Sequence, residues 1–433
     1  MLDINLFREN PKLIRESIKK RYMHDTLPLV DEVIKLDKEW RQLKQEADEL
    51  KHHRNEISRE IAKAKKEGKS VDKLLKEASK IPKRIALLDN KIRALQEEIR
   101  KRLMRIPNLI DDSVPIGEGE ESNEVVKTVG KPTEKGDWLK HHGQLAEQLG
   151  IADFSRSTKI SGAGFYFLKG PLALLNMALI RFAIDFLIKR GFVYTEPPLM
   201  MRRAPYEGVV SLDDFETMMY KIEGEDAFLI ATSEHPLVAQ FMNEVLQEKQ
   251  LPIKLVGYSM CFRKEIGSHG VDTKGLFRTH QFNKVEQIVI CKPEQSWKFF
   301  KEIQENSEEM FKQLGIPFRV VNTASGELSI IAAKRFDIEA WMPRQKTYRE
   351  VTSCSNCLDY QARRLNIRYF DKEGKRVFPH TLNNTGIATS RAMVAILENY
   401  QNRDGSVTIP KVLQKYMHGL KVIKNGALQR HSG

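Results

Sequence analysis

Four cysteines in 433 residues are too few to build a disulfide framework, so a reducing compartment and a cytoplasmic location are the default expectation. No run of 18 or more consecutive apolar residues occurs, and neither a transmembrane helix nor a membrane partner is expected. The opening residues, Met1-Leu2-Asp3-Ile4-Asn5-Leu6-Phe7, lack a basic patch followed by an apolar run. A signal peptide is therefore not expected, and an acidic residue so early speaks against a transit peptide. What is present suits a soluble chain: 41% hydrophobic residues, 30% charged residues and a mean hydropathy of −0.45. The length predicts two or three domains.

The net charge of +13 is unevenly placed. Residues 1–110 hold 28 Lys and Arg against 19 Asp and Glu, and residues 411–433 hold five basic residues and no acidic one. Between them, 38 basic residues meet 39 acidic ones. A near-neutral body with basic appendages suits a polyanion gripped by the appendages, although a lysine-rich solvated surface has the same signature.

Residues 33–64 repeat apolar side chains at a heptad spacing: Val33, Leu36, Trp40, Leu43, Ala47, Leu50, Arg54, Ile57, Ile61 and Ala64. A second seam runs through Leu74, Ala78, Ile81, Ile85, Leu88, Ile92, Leu95, Ile99, Arg102 and Ile106. A period of 3.5 residues is that of a coiled coil. The polar, Gly-containing stretch Lys65-Lys66-Glu67-Gly68-Lys69-Ser70 between the seams predicts an antiparallel hairpin. Each helix would be roughly 48 Å long. Pro82 predicts a kink or a late helix start. Lys51, Arg54, Arg59, Lys63, Lys65, Lys66 and Lys69 gather toward the tip, which suits phosphate contact. Oligomerisation through the same seams is the competing reading.

Residues 111–135, rich in Asp, Glu, Gly, Ser and Pro, read as a linker. The body then predicts helices over 171–190, 295–314 and 391–400. Strands are predicted over 191–198, 255–263, 276–291, 347–353, 366–370 and 381–388. Residues Gly267 to Gly275 make a polar, Gly-rich loop between two strands that could close over a ligand. Hairpins with segregated helices indicate an α+β body on a mostly antiparallel sheet.

Several fragments could carry chemistry. Phe262-Arg263-Lys264-Glu265 ends a strand; a guanidinium there offers a planar fork for phosphate, and Glu265 lies two residues on. Arg391 opens an apolar helix, a place where anions are favoured. Glu350 and Thr352 share one face of a strand, with Ser353 on the other unless the strand bulges; a carboxylate and a hydroxyl beside phosphates could hold Mg²⁺. Thr232-Ser233-Glu234 precedes a helical run and reads first as an N-cap. Cys354-Ser355-Asn356-Cys357 could be half a zinc site or a redox pair, but no second CxxC exists, and His280 or His380 would have to be borrowed. Each fragment alone has an ordinary structural reading as well: an exposed ion pair, a surface arginine, an edge carboxylate, a hydrogen-bonded histidine.

Taken in order, these fragments resemble the standard type of seryl-tRNA synthetase, a class II aminoacyl-tRNA synthetase family. The resemblance runs from Met1 to about Tyr416. Gly191 to Pro198 looks like motif 1, part of a dimer interface. Phe262 to Glu286 looks like motif 2, with Asp272-Thr273-Lys274-Gly275-Leu276-Phe277-Arg278 and His280-Gln281-Phe282-Asn283-Lys284-Val285-Glu286. Gly386-Ile387-Ala388-Thr389-Ser390-Arg391 looks like motif 3, and Glu350 to Cys357 like the nucleotide-binding strand. Departures are Ser390 where Gly is frequent, Thr352 within a usual Ser-Ser, and Thr385 in place of Ser; all keep small or hydroxyl side chains.

The resemblance implies a division into a tRNA-binding domain at 1–110 with a long helical arm over about 30–106, a linker at 111–135, a catalytic domain at 136–416 and a basic tail at 417–433. It implies formation of seryl-adenylate from L-serine and ATP, then transfer of serine to the 3′ end of tRNA(Ser), leaving charging of tRNA(Sec) open. Arg263, Glu265 and Arg391 would be catalytic, with Arg263 on the α-phosphate and Arg391 on the γ-phosphate. The ATP set adds Lys264, Thr279, Phe282, Glu350, Val351, Thr352 and Ser353, with Phe282 stacking on adenine. Glu350 and Ser353 would hold Mg²⁺, and no zinc is expected. Thr232, Ser233, Glu234, Arg263, Glu286, Asn383 and Thr385 would bind serine, Glu234 at its ammonium and Glu286 with Thr385 at its hydroxyl. A site that hydrogen-bonds a hydroxyl rejects alanine by about 10⁴-fold or more, while threonine must be excluded by shape. A homodimer is implied. An inactive paralogue would not need Arg263, Glu265, Glu350 and Arg391; a carrier-protein-loading relative would lack the arm; and a structural coiled coil leaves 191–401 unexplained.

Overall fold

The computed structural model describes residues 1–265 and 275–425. The chain divides into two compact units. The first comprises residues 2–19 and 23–107, and the second holds Met1, residues 20–22 and everything from Asn108 onward.

The helical unit opens with α1 (Ile4–Glu9) and α2 (Pro11–Lys20). Next comes α3 (Leu27–Lys66), 40 residues and so about 60 Å long. Its antiparallel partner is split into α4 (Asp72–Ala78) and α5 (Ile81–Leu103). Pro82 stands in the first turn of α5, where its missing N–H costs nothing; the late helix start is the outcome. The predicted seams meet. Ala47, Leu88 and Ile92 pack with Trp40, Leu43 and Leu50; nearer the tip, Ile57, Ile81 and Ile85 pack with Leu50, Ile61, Leu74 and Ala78. Arg54 occupies a seam position but is exposed. Lys51–Asp89 (3.0 Å), Arg84–Glu46 (2.5 Å) and Arg102–Glu32 (2.8 Å) bridge the two helices and fix their register. At the base, buried Asp37 accepts from Arg8 (2.7 Å) and Arg41 (3.0 Å).

The second unit is built on an eight-stranded sheet. In chain order the strands are β1 (Glu124–Val129), β2 (Val193–Thr195), β3 (Ile253–Phe262), β4 (Gln281–Cys291), β5 (Phe318–Asn322), β6 (Lys334–Met342), β7 (Thr347–Asn356) and β8 (His380–Ala388). Their order across the sheet is β1-β5-β6-β7-β8-β4-β3-β2. Every pairing is antiparallel except β2 with β3. Part of the segment read as a linker is thus an edge strand. β1 (Glu-Val-Val-Lys-Thr-Val) is almost wholly exposed; backbone pairing with β5 holds it rather than burial, and its three valines follow no alternation.

Helix α6 (Gly170–Ile188) lies against β4 and β3 and is buried on most sides. Its length and hydropathy would suffice to cross a membrane, and 61% of its apolar window is buried inside this unit. The run is not continuously apolar, since Asn176, Arg181 and Asp185 interrupt it, and the helix serves as a buried core element of this unit. Short α7 (Glu234–Ala239) follows Ser233, and amphipathic α8 (Ser296–Leu314) covers β7 and β8. α9 (Tyr360–Leu365) and α10 (Thr389–Asn399) complete the frame of the site. The core runs through Leu175, Leu179, Ile184, Val285, Val289, Ile303, Ile338, Ile387 and Leu397, all at most 5% exposed. Each such side chain contributes roughly 1.5–3 kcal/mol by leaving water.

Candidate functional site

The centre of the sheet forms the floor of a cleft. Successive strand residues alternate faces, so β4 presents Phe282, Lys284 and Glu286 on one side. Glu286 stands opposite Thr385 of β8 and Gly257 of β3. A side chain at Gly257 has no room: a Cβ there would lie 2.4 Å from Leu237 and 2.9 Å from the Ser233 hydroxyl. In β8 the register slips at Gly386, where a Cβ would press on the Val285 carbonyl at 3.2 Å.

One end of the cleft is a buried acidic pocket. Glu234 Oε1 accepts from Asn383 Nδ2 (3.0 Å) and Gln361 Nε2 (2.9 Å). Glu286 Oε2 accepts from Lys284 Nζ (2.7 Å) and Thr385 Oγ1 (3.3 Å). Thr232 Oγ1 accepts the Glu234 backbone N–H (3.1 Å). Burial, with Glu286 close by, pushes the Glu234 carboxyl up to about 7, against the pull of Gln361, Lys284 and Arg263. Ser233 does not share this pocket by its hydroxyl. It is fully buried and donates to the Gly257 carbonyl (3.2 Å), neither lining the cavity nor capping α7.

The other end is cationic. Arg263 donates to the Ala231 carbonyl and lies 5.2 Å from the Phe282 ring centre. Arg391, in the first turn of α10, donates to the Glu350 carbonyl (2.8 Å), approaches Glu350 Oε1 (3.4 Å) and lies over Phe277 (5.2 Å). A cation at a helix N-terminus opposes the macrodipole, so its place reflects what it must meet in the cleft rather than helix stability. Lys264 anchors the strand end through its backbone N–H on Met218 O (3.0 Å). Glu265 follows at φ +47°, a left-handed conformation that turns the chain out of the strand. Thr279 is buried in the wall, its hydroxyl without a partner among the described residues. The loop Gly267 to Gly275, apart from Gly275 itself, lies outside the described residues, as does the tail from 426 onward.

β7 resolves which hydroxyl shares a face with Glu350. Ile338 pairs with Thr352 and Glu339 with Glu350, so Val351 is the extra residue of a β-bulge. Cross-strand partners share a face, and Glu350 therefore sides with Ser353, not with Thr352. Thr352 is buried opposite Ile338, its hydroxyl without a partner among the described residues, and Val351 packs in the core, although both also border the cleft. The bulge also sets Asp337 across from Ser353. Asp337 is 4% exposed; Oδ2 accepts from Thr323 (3.2 Å) and pairs with Arg335 (3.0 Å), the Ser353 hydroxyl lies close enough to stabilise the carboxylate, and Oδ1 has no hydrogen bond of ordinary geometry among the described residues. Burial pushes its carboxyl upward, Arg335 opposes this and Glu350 adds to it. At Glu350 the crowding of surrounding protein also pushes upward, but Arg391, Arg335, Arg263 and Lys284 outweigh it and hold the carboxylate low. An ionised carboxylate, a hydroxyl and an orphaned buried oxygen form an all-oxygen donor set that fits a hard divalent cation.

The cleft thus gathers Arg263, Glu265, Thr279, Phe282, Glu350, Val351, Thr352, Thr385 and Arg391. Glu234, Glu286 and Asn383 adjoin through the contacts above. The sequence reading missed Lys284, Arg278 and Phe277 as lining residues, and Asp337 and Gln361 behind them. Lys284 was findable, being two residues from each of Phe282 and Glu286 on one strand. The cysteines have separate duties: Cys354 Sγ faces the Phe300 carbonyl, and Cys357 Sγ accepts from Asn383 (both 3.8 Å). His280 and His380 are hydrogen-bonded to Tyr220 (2.7 Å) and Ser296 (3.0 Å).

An antiparallel sheet whose cleft carries one arginine at a strand end and another at a helix start matches the class II tRNA synthetase core domain (G, H, P, S and T), over residues 217–400. The core is that of a class II aminoacyl-tRNA synthetase. Residues 1–110 match the seryl-tRNA synthetase N-terminal domain. The serine–tRNA ligase of Methanocella arvoryzae is 53% identical over 98% of this chain and all of its own length. The crystal structure of seryl-tRNA synthetase from Pyrococcus horikoshii complexed with ATP is 48% identical, with a TM-score of 0.93 over 98% of this chain and 100% of that one. That of the cytoplasmic enzyme from Naegleria fowleri in complex with AMP is 40% identical, with a TM-score of 0.87 over 98% and 99%. The chain belongs to the seryl-tRNA synthetase family.

Proposed function

We propose that this cleft carries both steps of serine–tRNA ligation, with serine in the acidic pocket and ATP along the cationic end. The chain is a serine–tRNA ligase that uses ATP, and the assignment of residues to roles is our reading. Glu234 receives the serine ammonium, and Glu286 with Thr385 receives the hydroxyl. The serine carboxylate then lies toward Arg263 and can attack the α-phosphorus of ATP, expelling pyrophosphate. Charge grows on phosphate oxygens in this step, so fixed cations do the catalytic work and no covalent nucleophile is needed. Arg263 serves the α-phosphate and Arg391 the γ-phosphate, while Phe282 and Glu265 place the adenine. Glu350 and Ser353 would hold Mg²⁺, which when bound neutralises phosphate charge.

The observation that carries the reading is the juxtaposition of two buried carboxylates, Glu234 and Glu286, with the guanidinium groups of Arg263 and Arg391. The first pair suits an aminoalcohol cation and the second a polyphosphate. ATP–pyrophosphate exchange measured with each amino acid tests it: exchange with serine is expected, and exchange with alanine or glycine instead would overturn the pocket assignment.

We further read residues 1–110 as the tRNA-binding domain and 136–416 as the catalytic domain, with tRNA(Ser) held along the arm. Arg54, Arg59, Lys63, Lys65 and Lys66 are exposed and make no ion pair among the described residues. Replacing these five with Ala should raise KM for tRNA(Ser) and flatten its salt dependence by about 0.7–0.9 log units for each phosphate the arm no longer neutralises. An unchanged salt slope would remove the arm from the interface. Homodimerisation is proposed through the face around β2, where Val193 (62% exposed), Met177 (55%) and Met200 (52%) leave apolar surface open. A cytoplasmic location accords with four free, buried thiols.

A further inference from the structure

Gln361 lies outside every sequence motif discussed above, yet it is completely buried beside the pocket. It is the second residue of α9, held in place by its neighbour Arg364, which donates to the carbonyls of Glu207 (3.1 Å) and Val210 (2.6 Å). Gln361 Nε2 donates both to the Val209 carbonyl (3.1 Å) and to Glu234 Oε1 (2.9 Å). Its Oε1 accepts from the Thr381 hydroxyl at 2.6 Å. The orientation of the amide is therefore determined: the Val209 carbonyl can only accept, so nitrogen must face it, and Thr381 supplies the donor that oxygen requires. Asn383 delivers a second donor to the same Glu234 oxygen. Two amide donors saturate Oε1 and leave Oε2 without a protein hydrogen bond among the described residues.

We infer that Gln361, oriented by Thr381, is a positioning residue for serine. It pins Glu234 through one oxygen, so that the other is fixed toward the substrate ammonium. The inference rests on the assignment of Glu234 as the ammonium ligand. Its physical content is preorganisation: a carboxylate already locked by buried hydrogen bonds loses no rotamer freedom on binding. A donor aimed at Glu234 also favours its ionised form, the form that binds a cation. A glutamate at position 361 would occupy the same volume but place a carboxyl against a carboxyl, so that one of the two must hold a proton.

The test compares Q361E, T381V, T381S and E234Q in ATP–pyrophosphate exchange, with serine and ATP varied separately from pH 6 to 9. Q361E is expected to raise KM for serine by about 30-fold or more, keep KM for ATP within about two-fold, and move the acid limb of the serine KM profile upward. T381V should raise serine KM by about five- to ten-fold, and T381S should restore it. Should E234Q raise serine KM while Q361E and T381V match the parent, the positioning role is wrong and the pocket assignment survives. Should E234Q leave serine KM unchanged, the pocket assignment fails and the positioning role falls with it. A Q361E protein that loses ATP and serine affinity equally, with a lowered Tm, would make Gln361 merely structural and overturn the inference.

Discussion

Serine binding should require a proton to leave the pocket. In the substrate-free protein the Glu234 carboxyl is pushed up to about 7 by burial, with Glu286 adding and Gln361, Lys284 and Arg263 opposing. His235, the next residue, is driven the other way by burial, with Lys284 and Arg263 adding to the push. Only the ionised Glu234 can accept the serine ammonium, so the apparent affinity scales with the ionised fraction. That fraction is about one in eleven at pH 6 and about ten in eleven at pH 8. KM for serine should therefore fall about ten-fold between pH 6 and pH 8 and level off above, while KM for ATP does not follow. At pH 7 about half a proton should be released per serine bound, readable as the dependence of calorimetric heat on buffer ionisation enthalpy. The linked effect on stability has a definite sign. A carboxyl raised from 4.5 to about 7 leaves the folded state holding the extra proton between those values, so the unliganded protein loses stability as pH climbs through that window. Saturating serine should cancel the loss. A serine KM that is flat from pH 6 to 8, with no buffer dependence of the heat, would refute the assignment of Glu234 as a buried ammonium ligand.

Other perturbations separate the parts of the site. Arg391→Ala and Arg263→Ala should each lower kcat/KM for exchange by about 10²–10³ with unchanged Tm, since each removes a cation from developing phosphate charge; loss of folding instead would place them among structural residues. Thr385→Ala takes away the donor at 3.3 Å from Glu286 and should narrow the preference for serine over alanine, measured as the ratio of kcat/KM values, by about ten-fold. Asp37→Ala should destabilise the helical unit by about 1–2 kcal/mol, since Arg8 and Arg41 lose their partner but keep access to water, seen as faster amide exchange in α1 and the start of α3. Burial pushes the Asp37 carboxyl up, but Arg8 and Arg41 outweigh it and hold it below its ordinary 3.8. Its contribution is accordingly present above that value and lost as pH falls below it, and a parent protein whose arm is unaffected at pH 3 would contradict this.

What could be read in advance follows from how information lies along a chain. The arm was legible because a heptad repeat is local: Ala47 and Ile57 on α3 meet Ile85 and Leu88 on α5 as their spacing requires, and Pro82 marks the break. On the floor of the cleft Phe282 and Glu286 were reached through the family resemblance, and alternation on β4 accounts for their sharing one side. β1 was not, because an edge strand held by backbone hydrogen bonds needs no pattern in its side chains. The bulge at Val351 could only be left open, because it belongs to the pairing of two strands rather than to either one. That single extra residue exchanges the faces of Thr352 and Ser353, and so decides which hydroxyl joins Glu350. Gln361 and Asp337 were missed for a related reason. Each acts from behind a residue that meets substrate, at sequence separations of 127 and 16 from Glu234 and Ser353. Nothing in the local type or spacing of a glutamine on a short helix tells which carboxylate it will face. Residues that touch ligand are constrained by the chemistry of the ligand and can be guessed from type. Those that hold them are constrained by the fold, and are visible only once the strands are paired.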